Sequence, residues 1–170
     1  ALRLARVNLD QVIDEALEEV RARFPARPIE RCRAEDDIWG IWDADRVAQI
    51  AVNLITNAFK YSPDSSPLRV STGLSVTEGL GEQVTFEVHN LGDAIAPEQM
   101  ASLFKPLERM GKTPGHPHGG LGLGLYIVGE LVCAHQGVVS VSSDPSNGTS
   151  FVVRLPRRPR ADVAPRPSSV

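Results

Sequence analysis

The chain has 170 residues, of which 42% are hydrophobic and 23% are charged, so its length allows one hydrophobic core and is too short for two comfortable domains. Its formal net charge of −3 excludes the overall positive field on which nucleic-acid binding depends. Cys32 and Cys133 are the only two cysteines and lack C-x-x-C spacing, so the sequence suggests neither a disulfide framework nor a zinc site.

Helical periodicity and short alternating runs define the first part of the chain. Apolar residues recur on one face over residues 9–23, and Pro25 ends that pattern. Asp43 is a plausible N-cap for a second helix, which Pro63 stops and whose predicted buried face is Val47, Ile50, Ala51, Leu54, Ile55 and Ala58. The predicted elements are a helix over residues 9–23, strands over 29–33 and 38–42, and a helix over 43–62.

The second part of the chain predicts two hairpins around a pair of helices. The first hairpin turns at TEGLGE and the second at DPSNG, and Gly137 is expected to end the longer helix. Four glycines in residues 111–120 indicate a loop, and residues 156–170, rich in Pro and Arg, a disordered tail. The predicted elements are strands 68–76 and 83–89, a short helix from Pro97, a helix over 121–135, and strands 138–142 and 149–155.

This order of elements is not the strict alternation that makes a parallel doubly wound sheet. The predicted fold class is α+β: a two-layer sandwich in which a mixed, mostly antiparallel sheet of about five or more strands is covered on one side by three helices.

The run NLITNAFKY places Asn53, Asn57, Lys60 and Tyr61 at positions i, i+4, i+7 and i+8 of the second helix, on adjoining parts of one face. Amide oxygens can bind a hard cation such as magnesium, and an ammonium group can bind phosphate. The alternative interpretation is a solvated helix face that happens to carry two asparagines.

A glycine-rich run, GGLGLGLYIV over residues 119–128, leads into the last helix, where backbone N–H groups and the helix N-terminus favour phosphate. It matches neither the Walker nor the Rossmann spacing, so a tight turn with small residues remains an alternative. A third segment, VHNLGDAI, ends a predicted strand at Asn90, where a polar side chain can reach a ligand. By itself it predicts no more than a turn.

Together, and in this order, these segments resemble the catalytic domain of histidine kinases in the GHKL ATPase superfamily over about residues 7–156. Residues 53–61 resemble the N box, residues 90–95 the first glycine box, LFKPL at 103–107 the F box, and GLGLG at 120–124 the second glycine box. AHQG at 134–137 and GTSF at 148–151 are similar to the family's closing helix end and final hairpin.

The resemblance implies ATP and Mg²⁺ as cofactors. Asn57 would coordinate the metal, Asn53 and Lys60 would contact phosphates or metal-bound water, and Asn57 and Lys60 would be the catalytic residues. Residues 104–119 would form a lid over ATP. The implied cofactor-binding set is Asn53, Asn57, Lys60, Tyr61, Asn90, Gly92, Ile95, Phe104, Gly120, Leu121, Gly122, Leu123, Gly124 and Thr149.

Four positions depart from patterns of the family or its relatives. Asn53 stands where hydrolytic relatives have a glutamate base, which argues for phosphoryl transfer to an external histidine. Asn90 replaces an aspartate that accepts a hydrogen bond from adenine, Ala94 replaces a glycine, and Leu107 replaces a phenylalanine. The alternatives are a degenerate regulatory module with weak or no kinase activity and a serine kinase of the anti-sigma type.

Neither His89, His116, His118 nor His135 lies in a helical phosphoacceptor context. The acceptor is therefore expected on upstream dimerisation helices, with residues 1–6 as the end of that linker and residues 157–170 as the tail. The resemblance further implies a response regulator as an indirect partner and a monomeric state for this chain. With no signal peptide and no run of 18 apolar residues, a cytoplasmic location is expected for this chain, within a longer protein that is either membrane-anchored or soluble.

Overall fold

A computed structural model describes residues 1–77, 79, 81–105 and 123–159 of the chain. Helices and strands follow the predicted order closely within these ranges. The elements are β1 (Ala5–Asn8), α1 (Leu9–Arg23), β2 (Ile29–Cys32), β3 (Trp39–Trp42), α2 (Ala44–Tyr61), β4 (Leu68–Thr77), β5 (Gly81–Asn90), α3 (Pro97–Met100), α4 (Leu123–Ala134), β6 (Val138–Asp144) and β7 (Gly148–Pro156).

Five strands form the main sheet in the order β2-β4-β5-β7-β6, with β2 parallel to β4 and every other pair antiparallel. Alternate residues of β5 and β7, including Val88 and Phe151, are buried. The α2 helix contacts β5, α4 contacts β6, and α1 packs on α2. The core therefore lies between one sheet face and the helices, which confirms the predicted two-layer α+β fold.

Local sequence signals determine where the long helices α1 and α2 begin. Asn8 caps α1 by accepting a hydrogen bond from Gln11 N at 3.2 Å, and Asp43 caps α2 by accepting one from Arg46 N at 3.3 Å. The six apolar residues predicted to face the core from α2 are all buried. None of the helices in the described ranges is long and apolar enough to cross a membrane.

The N-terminal segment differs from the expected end of a helix. Ala5 and Arg6 belong to β1, which pairs antiparallel with β3. Arg6 also stacks on the Trp39 ring at 4.5 Å. Pairing with β3 satisfies backbone groups that a helix would have satisfied internally, so the helical expectation for residues 1–6 is wrong at Ala5 and Arg6.

Three elements meet at the N-cap of α2. Asp43 Oδ2 accepts a hydrogen bond from Arg3 N at 2.8 Å, and Asp43 N donates to Nε2 of the buried His135 at 3.1 Å. His135 Nδ1 in turn lies 2.7 Å from Leu131 O, so the ring bridges Asp43 N and the last turn of α4. The hydrogen bond from Arg3 N, together with that from Arg46 N, outweighs burial and lowers the pKa of Asp43. This junction joins the N-terminal segment, α2 and α4.

The end of α4 also differs in detail from the prediction. Gln136, with φ of 59°, takes the left-handed position that Gly137 was expected to take. Gly137 N then donates to Val132 O at 2.9 Å, and a Cβ on Gly137 would lie 2.5 Å from Arg154 O. Glycine is required here because helix and strand backbones approach closely, a contact between distant residues that the local sequence does not reveal.

Ordered structure continues past Pro156, where a disordered tail was predicted. Arg157 O accepts a hydrogen bond from Ile41 N at 2.8 Å, which attaches residue 157 to β3. Its guanidinium donates to Trp39 O and Asp37 O, each at 3.0 Å, and stacks on the Trp39 ring. These contacts offset the cost of ordering this residue, so the tail prediction is wrong at Arg157. Residues 160–170 lie outside the described part of the chain.

Candidate nucleotide-binding site

A polar cleft of about 200 Å³ lies where the exposed face of α2 meets the end of α1 and the start of α4. Four of the predicted site residues, Asn53, Asn57, Lys60 and Gly124, are brought together in its wall. The described residues that line it are Arg23, Val52, Asn53, Thr56, Asn57, Lys60, Gly124 and Leu125. Whole-ligand pockets occupy about 300–1,000 Å³, so a cleft of this size suits part of a nucleotide, such as its phosphates.

The helical period of α2 determines which side chains face the cleft. Successive residues are about 100° apart, so Lys60, Thr56 and Val52 lie about 60°, 100° and 140° to one side of Asn57. Tyr61 lies about 40° to the other side of Asn57. The cleft therefore lies on the side of Asn57 that carries Lys60, Thr56 and Val52, and Tyr61 lies on the opposite side of Asn57, outside the cleft.

The cleft favours an anionic ligand. Among the described residues, its lining contains two cations, Arg23 and Lys60, and no carboxylate. A Cβ on Gly124 would lie 4.0 Å from Asn53 Cγ, so the first turn of α4, where a helix carries partial positive charge, closely approaches α2. The Thr56 hydroxyl is buried and has no hydrogen-bond partner among the residues described. These groups fit phosphate oxygens.

The donor set also fits magnesium better than a transition metal. Asn57 offers an amide oxygen, and magnesium commonly takes one or two protein oxygens and completes its shell with water and substrate phosphates. Within the described ranges, no cluster of three or more His, Cys, Asp or Glu side chains could hold a metal ion.

A second group of predicted residues meets beyond Tyr61, at the end of β5. Gly92 has φ of 149°, and a Cβ there would lie 2.3 Å from Tyr61 O, so only glycine allows the turn to approach the end of α2. Asn90 is buried, and its Nδ2 donates to Leu91 O at 3.0 Å. That hydrogen bond uses the amide nitrogen, so Oδ1 is the atom available to accept a hydrogen bond from a ligand.

Ser143 connects the remaining residues of this group. Its Oγ accepts a hydrogen bond from Ile95 N at 2.9 Å and lies 2.6 Å from Thr149 Oγ1. Thr149 is buried and is paired with Asn90 across β5 and β7. Sequence reasoning missed Ser143, although its register opposite Thr149 in the predicted hairpin could have indicated it. We call Tyr61, Asn90, Gly92, Ile95 and Thr149 the strand-end cluster.

Tyr61 carries an apolar ring and a buried hydroxyl at the end of α2, which the Gly92 turn approaches. Burial raises the pKa of the Tyr61 phenol above its ordinary value, so the ring is neutral at physiological pH. Its Oη has no hydrogen-bond partner among the described residues. A buried hydroxyl without a partner is uncommon and is compatible with a ligand contact.

The other predicted site residues are not brought to the cleft. Phe104 packs against Gly129 and meets the Phe151 ring edge-on at 6.2 Å, which anchors the segment after α3 to the core. Leu123 is 66% exposed. Gly120, Leu121 and Gly122, as well as Leu107 and most of the expected lid, lie outside the described residues. Ala94 is exposed, so its methyl group does not fill a buried pocket.

Arg27, which no motif contains, holds the end of α2 that carries Lys60 and Tyr61. Its guanidinium donates to the carbonyl oxygens of Phe59, Ser62 and Pro63 at 3.3, 3.4 and 3.2 Å. It also donates to Ser62 Oγ and Asp64 Oδ1 and stacks on the Phe59 ring at 4.8 Å. A cation at the negative end of a helix is favourable, and here it also satisfies carbonyls without helical partners.

Comparison with known proteins identifies the family. The family described as "Histidine kinase-, DNA gyrase B-, and HSP90-like ATPase" matches residues 42–159. The sensor protein VanS of Enterococcus faecium is 32% identical over 89% of this chain and 37% of that protein. The sensor-like histidine kinase SenX3 of Mycobacterium tuberculosis is 30% identical over 88% of this chain and 36% of that protein.

A solved structure of the mycobacterial sensor histidine kinase MprB superposes with a TM-score of 0.72 and 27% identity, covering 92% of this chain and 99% of that one. The chain thus spans little more than a third of VanS and SenX3, at 37% and 36% of their lengths. The chain belongs to the histidine kinase-, DNA gyrase B- and HSP90-like ATPase family, and it is an ATP-binding catalytic domain of the sensor histidine kinase class.

Proposed function

We propose that this domain binds ATP with magnesium and transfers the γ-phosphoryl group to a histidine on separate upstream helices, for relay to a response regulator. The observation that carries the proposal is the cleft beside α2, where Arg23 and Lys60 are the charged groups and Asn57 offers an amide oxygen. Two cations and a hard-metal ligand in one polar cleft fit a polyphosphate-metal complex.

The metal, the phosphates and the base each have a proposed counterpart among the described residues. Asn57 would hold the magnesium ion, which neutralises phosphate charge when bound, and Asn53 and Lys60 would contact phosphate oxygens or metal-bound water. The strand-end cluster would receive the base, with Asn90 Oδ1 accepting a hydrogen bond from the exocyclic amine of adenine. Phe104 would contribute indirectly, by anchoring the segment that follows α3.

The lining of the cleft favours transfer to an external nucleophile over hydrolysis. Activation of water needs a general base, and an amide such as that of Asn53 cannot take a proton. The described lining contains neither a carboxylate nor a histidine. An imidazole nitrogen of the acceptor brings its own lone pair: a P–N bond forms, the bond from the γ-phosphorus to the bridging oxygen breaks, and ADP leaves. Catalysis then consists of positioning and charge neutralisation.

Phosphorylation in a protein that also contains the upstream helices tests this reaction. With ATP labelled at the γ position, we expect label on a histidine, stable to base and lost in acid. Release of inorganic phosphate by the domain alone, at a rate matching phosphorylation, would instead indicate a hydrolase and contradict the proposed transfer.

A second candidate function is a regulatory module that binds nucleotide poorly, and Asn90 is the observation that favours it. An uncharged acceptor makes a weaker hydrogen bond to adenine than a carboxylate by about 1–2 kcal/mol, close to a tenfold difference in affinity. Asn90→Asp is therefore expected to strengthen ATP binding about tenfold. Binding titrations of the two proteins with ATP measure this, with GTP as the control.

Equal ATP affinities for the Asn90→Asp variant and the unmodified chain would show that residue 90 does not contact the base. A wild-type protein that binds no ATP and a variant that does would instead favour the regulatory module.

A further inference from the structure

Arg23, in the last turn of α1, lies in the wall of the cleft although it belongs to none of the sequence motifs. It is separated by 30 residues from the N box and reaches the cleft only because α1 packs against α2. Its side chain is exposed, so the guanidinium can reorient toward a ligand without disturbing the core.

The position of Arg23 around α2 indicates which phosphate it can reach. The cleft extends from Asn57 toward Lys60, Thr56 and Val52, on the flank opposite Tyr61. A nucleotide with its base in the strand-end cluster and its metal at Asn57 has its phosphates directed across α2, away from Tyr61. Phe24, next to Arg23, packs on Phe59 with ring centroids 5.3 Å apart, and Phe59 lies about 160° from Asn57 on the same flank as Val52. Arg23 therefore borders the far side of the cleft, where the terminal phosphate would lie.

The favourable interaction of a cation with the C-terminal end of a helix does not by itself explain why Arg23 lines the cleft. Arg21 lies in the same turn and receives the same benefit from the helix dipole. Its guanidinium pairs with Glu18 at 2.8 Å, whereas Arg23 forms no ion pair with any residue that the structure describes. Of these two arginines, Arg23 is therefore the one whose charge is available to a ligand in the cleft.

We propose that Arg23 binds the terminal phosphate of ATP and discriminates ATP from ADP. This rests on the proposed function, since it assigns a ligand group to a residue of the same site. A guanidinium presents two parallel N–H donors to phosphate oxygens, a geometry that the ammonium of Lys60 cannot supply. Arg23 would thus favour the substrate over the product of phosphoryl transfer.

Calorimetric titration of Arg23→Gln with Mg-ATP and Mg-ADP tests this, and Arg21→Gln is the matched control. We expect Arg23→Gln to weaken ATP binding about tenfold and ADP binding less than about twofold. Arg21→Gln should leave both affinities unchanged, since Arg21 does not line the cleft.

Equal losses for ATP and ADP, no loss for either, or the same loss in Arg21→Gln would each overturn the assignment of Arg23. Failure of the unmodified chain to bind ATP would overturn the proposed function itself, so the two failures are distinguishable.

Discussion

Replacing Asn57 with alanine is expected to remove the magnesium dependence of ATP binding and weaken Mg-ATP affinity by about 10- to 100-fold. Asn57 is the amide of the cleft nearer to Tyr61 around α2, about 40° away, whereas Asn53 lies about 80° away. Its loss leaves the metal without its proposed protein ligand, while the base contacts remain. Titrations with and without magnesium measure the effect, and phosphorylation of the upstream histidine should fall at least as far.

Gln49→Ala is the matched control for Asn57→Ala. Gln49 carries the same amide group on the same helix, but it hydrogen bonds to Arg46 at 3.1 Å and does not line the cleft. We expect its removal to leave ATP affinity within twofold of the unmodified value, about 0.4 kcal/mol. If Asn57→Ala kept a full response to magnesium, the metal would have to be held elsewhere.

Replacing Arg27 with alanine is expected to destabilise the domain by about 2–4 kcal/mol. The Arg27 side chain is only 10% exposed, and its loss leaves the carbonyl oxygens of Phe59, Ser62 and Pro63 without this donor. The last turn of α2 carries Lys60 and Tyr61, so ATP affinity should also fall under conditions where the variant is still folded. Urea unfolding and binding titration measure the two effects.

Asp64→Ala removes the ion pair of Arg27 and leaves the hydrogen bonds of Arg27 to the three carbonyl oxygens in place. Asp64 is 99% exposed, and an exposed ion pair contributes at most about 1 kcal/mol. We therefore expect a small loss of stability and an unchanged ATP affinity for Asp64→Ala. Equal destabilisation by the two substitutions would show that the charge pair, and not the carbonyl contacts, is what Arg27 contributes.

The parts of the fold that depend on local signals were predictable from the sequence. Asp43 is confirmed as the N-cap of α2, and the apolar period predicted the buried face of that helix. The same period placed Asn53, Asn57 and Lys60 on one face, and the structure brings all three into the cleft. Their individual roles remain predictions, since geometry alone does not assign a ligand to each.

The parts that depend on contacts between distant segments were not predictable. Arg27 is 32 residues from Phe59, and Ser143 is 48 residues from Ile95, so neither partner can be read from local spacing. β1 has four residues and forms only because β3 pairs with it. Arg23 was not predicted for the same reason. An arginine in the last turn of a helix is ordinarily exposed to solvent, and only the packing of α1 against α2 brings Arg23 to the cleft.

A calorimetric titration of this chain with ATP, with and without magnesium and with GTP for comparison, tests whether the cleft binds Mg-ATP. We expect binding in the micromolar to submillimolar range, about −5 to −8 kcal/mol, that strengthens with magnesium and is selective for adenine. Absence of ATP binding, or binding indifferent to both magnesium and the base, would contradict it.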